Sequence, residues 1–316
     1  MRIISLLPSV TEILFALGAG DQVVGVTFEC DHPAAARTRR IVSTSALPEG
    51  LDAAQIDAAV AARMAAGEDL YRLDAGALAD LDADLVITQD LCAVCAIDAA
   101  DVAEAMAHLG CDGRVLTVAP TDLAGVLASI VLLGEATGTA ARGRALVAAL
   151  EERLEAVRAR VAGAAPVRTL VLEWTDPPFA PGHWIPEMVA IAGGTCVIGG
   201  AGEPSRRIGW EAVVAARPDV AVCAPCGFDL AASAAASAEL VSRGVLPAGV
   251  PVWAVDANAS YARPGPRLVD GVEALAAILH PDRGGGPPRG ARRMEGPEPE
   301  PAVRACGGPP RPRPRG

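Results

Sequence analysis

The chain has 316 residues, 51% hydrophobic and 21% charged, a globular balance that excludes a fibrous or wholly disordered protein. It contains no lysine, so all 27 basic side chains are arginines, and 38 acidic residues set the formal net charge at −11. That charge opposes phosphate neutralisation and sets nucleic acid aside as a partner.

In chain order, short aliphatic and β-branched runs predict strands at 2–7, 22–27, 85–88, 115–118, 169–173, 220–224 and 252–255. Such runs suit parallel strands buried on both faces, and alanine-rich helical patterns separate them. Ser9-Val10-Thr11-Glu12 has the form of a capping box and predicts a helix start, with Gly18 and Gly20 as its stop. A second helix is predicted at about 139–162, with Thr139 as its cap. Leu146, Leu150, Leu154, Val157 and Val161 recur on one face of it. Twenty-four helical residues span roughly 36 Å, long enough to strut two domains.

The expected fold is therefore α/β, with two Rossmann-like lobes at 1–120 and 166–283. A helical connector at 121–165 carries the rigid helix between them. The last 33 residues, 284–316, include 8 glycines, 9 prolines and 7 arginines, and that composition predicts a disordered tail. No apolar run reaches the roughly 18–20 residues of a membrane span, and residues 1–8 lack the regions of an export signal. The chain as written is expected in the cytoplasm as a monomer, or in the periplasm or at the cell surface if its true start codon lies upstream. In a reducing compartment its eight cysteines read as thiols or metal ligands before disulfides.

The stretch from Ile4-Ser5-Leu6-Leu7-Pro8-Ser9-Val10-Thr11-Glu12 through Val23-Val24-Gly25-Val26 resembles the opening of a family of ABC-importer substrate-binding proteins. Its members bind cobalamin and ferric siderophores. The resemblance continues through Ala83-Asp84-Leu85-Val86-Ile87-Thr88, Arg217-Pro218-Asp219-Val220 and Arg263-Pro264-Gly265-Pro266-Arg267. Gln89-Asp90-Leu91-Cys92-Ala93-Val94-Cys95 and Pro178-Phe179-Ala180-Pro181-Gly182-His183-Trp184 are similar to the cobalamin-binding subset. The family implies a corrinoid or other metal-chelate ligand between the lobes, no catalysis, and one surface glutamate per lobe for docking to a permease. Glu211 fits the C-lobe docking position, whereas Gly76 stands at the N-lobe one, with Asp74 nearby. That departure and the missing export signal weaken the permease partnership.

Ligands of doubly wound sheets bind beyond the carboxyl ends of the strands. Reading past each strand gives Phe28, Glu29, Cys30, Asp31 and His32, then Gln89, Asp90, Leu91, Cys92 and Cys95, in the first lobe. The second lobe supplies Trp174, Asp176, Phe179, His183 and Trp184, then Phe228, then Tyr261 and Arg263. Only ten aromatic residues exist, yet Trp174, Phe179 and Trp184 crowd one loop. There they either stack on a planar ligand or seal the loop. Arg263 and Arg267 fit either a polar ligand group or a structural bridge. His183 could ligate a metal centre or simply form hydrogen bonds. An alternative function uses sulfur, with Cys92, Cys95, Cys223 and Cys226, or Cys30, holding zinc or iron in a metal or redox site.

Overall fold

The computed structural model describes residues 1–66, 68, 70–78, 80–89, 113–283 and 285–295. The first lobe runs β1 (Ile3–Ser5), α1 (Pro8–Ala16), β2 (Val23–Val26), β3 (Arg40–Ile41), β4 (Ser43–Ser45), α2 (Ala53–Ala66), β5 (Tyr71–Leu73), α3 (Ala75–Leu78), β6 (Leu85–Thr88) and β7 (Arg114–Thr117). The connector is a hairpin of α4 (Leu123–Ala136) and α5 (Ala140–Val161). The second lobe begins β8 (Val167–Leu172), β9 (Trp174–Thr175), β10 (Pro178–Ala180), α6 (Ile185–Ile191), β11 (Gly194–Cys196), β12 (Arg206–Arg207), α7 (Trp210–Ala216) and β13 (Val220–Cys223). It ends α8 (Leu230–Ser242), β14 (Val252–Val255), α9 (Ala257–Ser260), α10 (Leu268–Leu279) and β15 (Ala291–Met294).

Each lobe holds a five-stranded sheet, ordered β3-β2-β1-β6-β7 and β11-β8-β13-β14-β15. All pairings are parallel except that of β15 with β14. The central strands β1, β6, β8 and β13 are almost entirely buried, as continuous aliphatic runs require.

The lobes repeat one local device. The backbone N–H of Arg2, entering β1, donates to Asp84 at 2.6 Å, and its Nε donates to the Leu81 carbonyl. The backbone N–H of Arg168, in β8, donates to Asp219 at 3.0 Å, and its guanidinium caps the Ala216 and Arg217 carbonyls at the end of α7. In both lobes an arginine beside the first strand ties down the segment that feeds the neighbouring central strand.

The connector helix α5 buries Leu150, Leu154, Val157 and Val161, the stripe the periodicity predicts. Arg142 donates to the Leu17 carbonyl of the first lobe, and Arg153 pairs with Asp270 and Glu273 of the second. The rod is thus pinned to both lobes. At its N-terminus the Thr139 hydroxyl meets Thr137 rather than capping the helix.

Two expectations change. Helix α1 starts at Pro8, with Leu7 as N-cap and no side-chain cap, so Ser9 and Glu12 lie inside the helix and form no capping box. The fixed φ of proline at a first helical position starts the helix instead. Its stop is as expected: Gly18 adopts φ +71° and the Ala19 N–H reaches the Leu14 carbonyl. The expected disorder from 284 onward also begins too early. Residues 291–294 form β15 on the edge of the second sheet, with Ala291 packed against the core and Arg292 and Arg293 outside. Residues 296–316 lie outside the described residues.

Candidate functional site

The carboxyl ends of the two sheets face each other, because loops leaving strands of one lobe touch loops and helices of the other. The most buried contact is a clamp on Glu12 of α1, whose side chain is 4% exposed. Arg267 grips it with two bonds, Nε to Oε2 at 2.8 Å and Nη2 to Oε1 at 2.5 Å. Arg263 adds a bond from Nη1 to Oε1 at 3.2 Å, reaches Asp31 at 2.5 Å and donates to the Glu29 carbonyl at 3.2 Å. Forked guanidinium–carboxylate geometry of this kind is both strong and directional. Burial opposes ionisation of Asp31, but the hydrogen bond and charge of Arg263 outweigh it and hold its carboxyl below the usual range. Arg263, expected at a ligand, is therefore occupied by carboxylates of the opposite lobe and serves as the structural bridge.

The second-lobe wall is aromatic. Trp174 on β9 and Phe179 on β10 are cross-strand partners, and the Phe228 ring stands edge-on to Trp174 at 5.3 Å. Two chain segments converge there, the β9–β10 hairpin and the loop after β13, and all three rings are partly exposed. The Trp174 indole N–H is shared between the Asp176 carbonyl (3.0 Å) and the Ala53 carbonyl of α2 in the first lobe (3.1 Å). Arg207 lies over the Phe179 ring at 5.7 Å and also pairs with Asp57 of α2 at 2.6 Å.

Opposite stand Phe28, Glu29 and Tyr71. The Tyr71 hydroxyl donates to Glu29 at 3.0 Å and its ring lies 5.8 Å from Phe28. Burial raises the Glu29 pKa, partly offset by the Tyr71 bond and by Arg263. Phe28 stands in the stretch read past β2, whereas Tyr71 is a contributor that sequence reasoning missed. Tyr71 opens β5, a short strand that the sequence pattern did not predict, so no strand-end rule reaches it.

His183 is half-buried at φ +50° and packs on Trp184. The backbone of 203–205 holds it there so closely that a Cβ on Gly182 would meet the Glu203 carbonyl at 2.3 Å. Burial lowers the His183 pKa below the ordinary imidazole value.

Several expected contributors are elsewhere. Trp184 is 6% exposed and its indole donates to the Tyr261 carbonyl at 2.7 Å, so it seals the lobe. Tyr261 is 2% exposed, with its hydroxyl on the Gly271 carbonyl, and belongs to the core. Cys30 is buried against Thr11, and burial pushes its thiol up to about 12. Cys223 is wholly buried between Leu172 and Leu240 in a separate core cluster, its thiol pushed up to about 11. It cannot join the exposed Cys226 around one metal, because its thiol is packed inside the lobe. Among the described residues no cluster has the composition of a metal site. Asp176 pairs with Arg243 at 2.7 Å and lines a cavity of about 140 Å³ between the start of α2 and α8. Gln89 is buried at the end of β6. Asp90, Leu91, Cys92 and Cys95 lie outside the described residues.

Residues 3–243 match the model of the family described as Periplasmic binding protein. No curated protein sequence matches the chain. Among solved structures it is similar to a periplasmic heme binding protein from Pseudomonas aeruginosa, at 20% identity and TM-score 0.65, covering 93% of this chain and 95% of that one. The vitamin B12 binding protein BtuF of Vibrio cholerae matches at 23% identity and TM-score 0.58, covering 88% and 96%. The heme-binding protein RhuT from Roseiflexus sp. RS-1, in apo form, matches at 22% identity and TM-score 0.61, covering 90% and 99%.

Proposed function

Because the chain belongs to the periplasmic binding protein family, we propose that it is a substrate-binding protein for a planar metal-chelate macrocycle, a corrinoid or heme, held between its lobes. The observation that carries this reading is the wall of Trp174, Phe179 and Phe228. These rings gather at one face in a chain with only ten aromatic residues. Flat rings give a flat ligand large dispersion area at small entropy cost. Two of the structurally similar proteins are a heme binding protein and a vitamin B12 binding protein, which supports a ligand of that class.

A permease is the natural second partner. Glu211 is exposed in the first turn of α7, whereas the first lobe presents exposed Gly76 on α3 and Asp74, whose carboxylate caps that helix at the Ala77 N–H. The reading therefore includes docking through Glu211 on one lobe, with weaker engagement of the other. A cytoplasmic location is the alternative to this reading, in which the protein holds its ligand without engaging a permease. Recovery of the native protein in the envelope fraction would overturn that alternative.

The test is a titration with cyanocobalamin and with hemin, followed by tryptophan quenching and by the ligand's own absorbance. A saturable 1:1 change with one of them is expected. No change with either at high micromolar concentration would sink the reading.

A further inference from the structure

Helix α2 leaves the first lobe between β4 and β5, which pair with each other as a small two-stranded sheet. None of its 14 residues is buried, and its apolar Met64 is 48% exposed. A helix of this length has little stability of its own in water, so tertiary contacts must fix its position. The polar ones point across the cleft: the Ala53 carbonyl on the Trp174 indole, and Asp57 on Arg207, which also covers Phe179. The helix therefore sits on the two rings that form the aromatic wall. The cavity of about 140 Å³ beneath its start is well below the roughly 300–1,000 Å³ of pockets for organic ligands.

We propose that the segment carrying α2 is a lid latched by Asp57–Arg207 and Ala53–Trp174, and that it must release before a ligand can reach Trp174 and Phe179. This rests on the aromatic wall being the ligand site. Arg207 is 55% exposed, so its pair with Asp57 is of the weak, salt-screened kind. A latch of that strength opens without unfolding either lobe. Since ligand enters only the open fraction, the apparent association rate scales with that fraction.

The experiment pairs a ligand-free and a ligand-dependent measurement on the full chain. Protein labelled with fluorotryptophan gives resonances for its four tryptophans, and a Trp174→Phe variant assigns the one at the latch. Asp57→Asn, or added salt, is expected to move the Trp174 resonance and leave Trp184 unmoved. In stopped flow with cyanocobalamin and hemin, Asp57→Asn is expected to raise the association rate about two- to fivefold. Salt should raise the cyanocobalamin rate in the wild type but not in that variant. The charge-swapped pair Asp57→Arg with Arg207→Asp should restore the slower rate. If neither probe binds while the Trp174 resonance still moves, the latch stands and the ligand reading falls. If a probe binds while Asp57→Asn changes neither resonance nor rate, the lid is overturned.

Discussion

Two regions join the lobes, and they differ in burial more than in chemistry. At Glu12 two arginines, 9% and 22% exposed, meet one carboxylate that is 4% exposed, whereas at Asp57 one arginine that is 55% exposed meets one carboxylate that is 18% exposed. Both are arginine–carboxylate contacts between the same two lobes. Water screens the second and not the first, so the first acts as a fixed joint and the second as a releasable catch. The fixed joint also lies where α1 and α10 approach each other, and these helices pack on α4 and α5 of the connector. Rod and joint together restrict the lobes to small relative motion, which leaves gating to α2.

The largest effect should come from breaking the fixed joint. Glu12→Ala leaves two arginine heads facing each other at a buried site and should cost about 3–5 kcal/mol of stability, read by chemical denaturation. A loss below 1 kcal/mol would erase the distinction between the two regions. Next, Trp184→Ala should cost a similar amount, about 3–5 kcal/mol, because it empties a core position. Trp174→Ala should instead weaken ligand binding by about 1–3 kcal/mol with a much smaller loss of stability. Equal behaviour of the two variants in both assays would remove the division between sealing and stacking rings.

Acid titration sharpens the comparison further. The Asp31 carboxyl is held below its usual range, so it contributes stability above about pH 4, lost as pH falls through its folded value. Asp31→Asn should flatten that acid limb. Glu29 has the opposite sign: its pKa is raised, so its contribution is full at low pH and is lost as pH rises through the folded value. Glu29→Gln should therefore gain stability near neutral pH, and a loss there would contradict the burial argument. The smallest expected effect is that of Asp57→Asn on global stability, under about 1 kcal/mol in the same denaturation assay.

The sheets were legible because parallel strands buried on both faces must be continuous aliphatic runs, and little else in a soluble chain looks so. The connector was legible for the same kind of reason, a stripe of five apolar residues repeated over about four turns. The site was legible as a set of loops but not residue by residue. Trp174 and Trp184 occupy one loop, and what separates them is the distant acceptor each indole N–H reaches, Ala53 (beside the local Asp176 carbonyl) for one and Tyr261 for the other. Those acceptors are 121 and 77 positions away, beyond any local pattern. Glu12 misled because Ser-x-x-Glu is a local signature, while its real partners, Arg263 and Arg267, lie 251 and 255 positions along. At the C-terminal end, average composition concealed a four-residue strand whose two ends, Ala291 and Met294, pack on the core while the arginines between them stay outside.

The most direct check of the whole account is hydrogen exchange of the protein with and without saturating macrocycle. Slowed exchange is predicted together at 28–31, 174–180 and 226–229, the loops that the two sheets aim at one another. Protection confined to a single lobe, or centred on 210–217 of α7 away from those loops, would contradict a guest shared across the cleft.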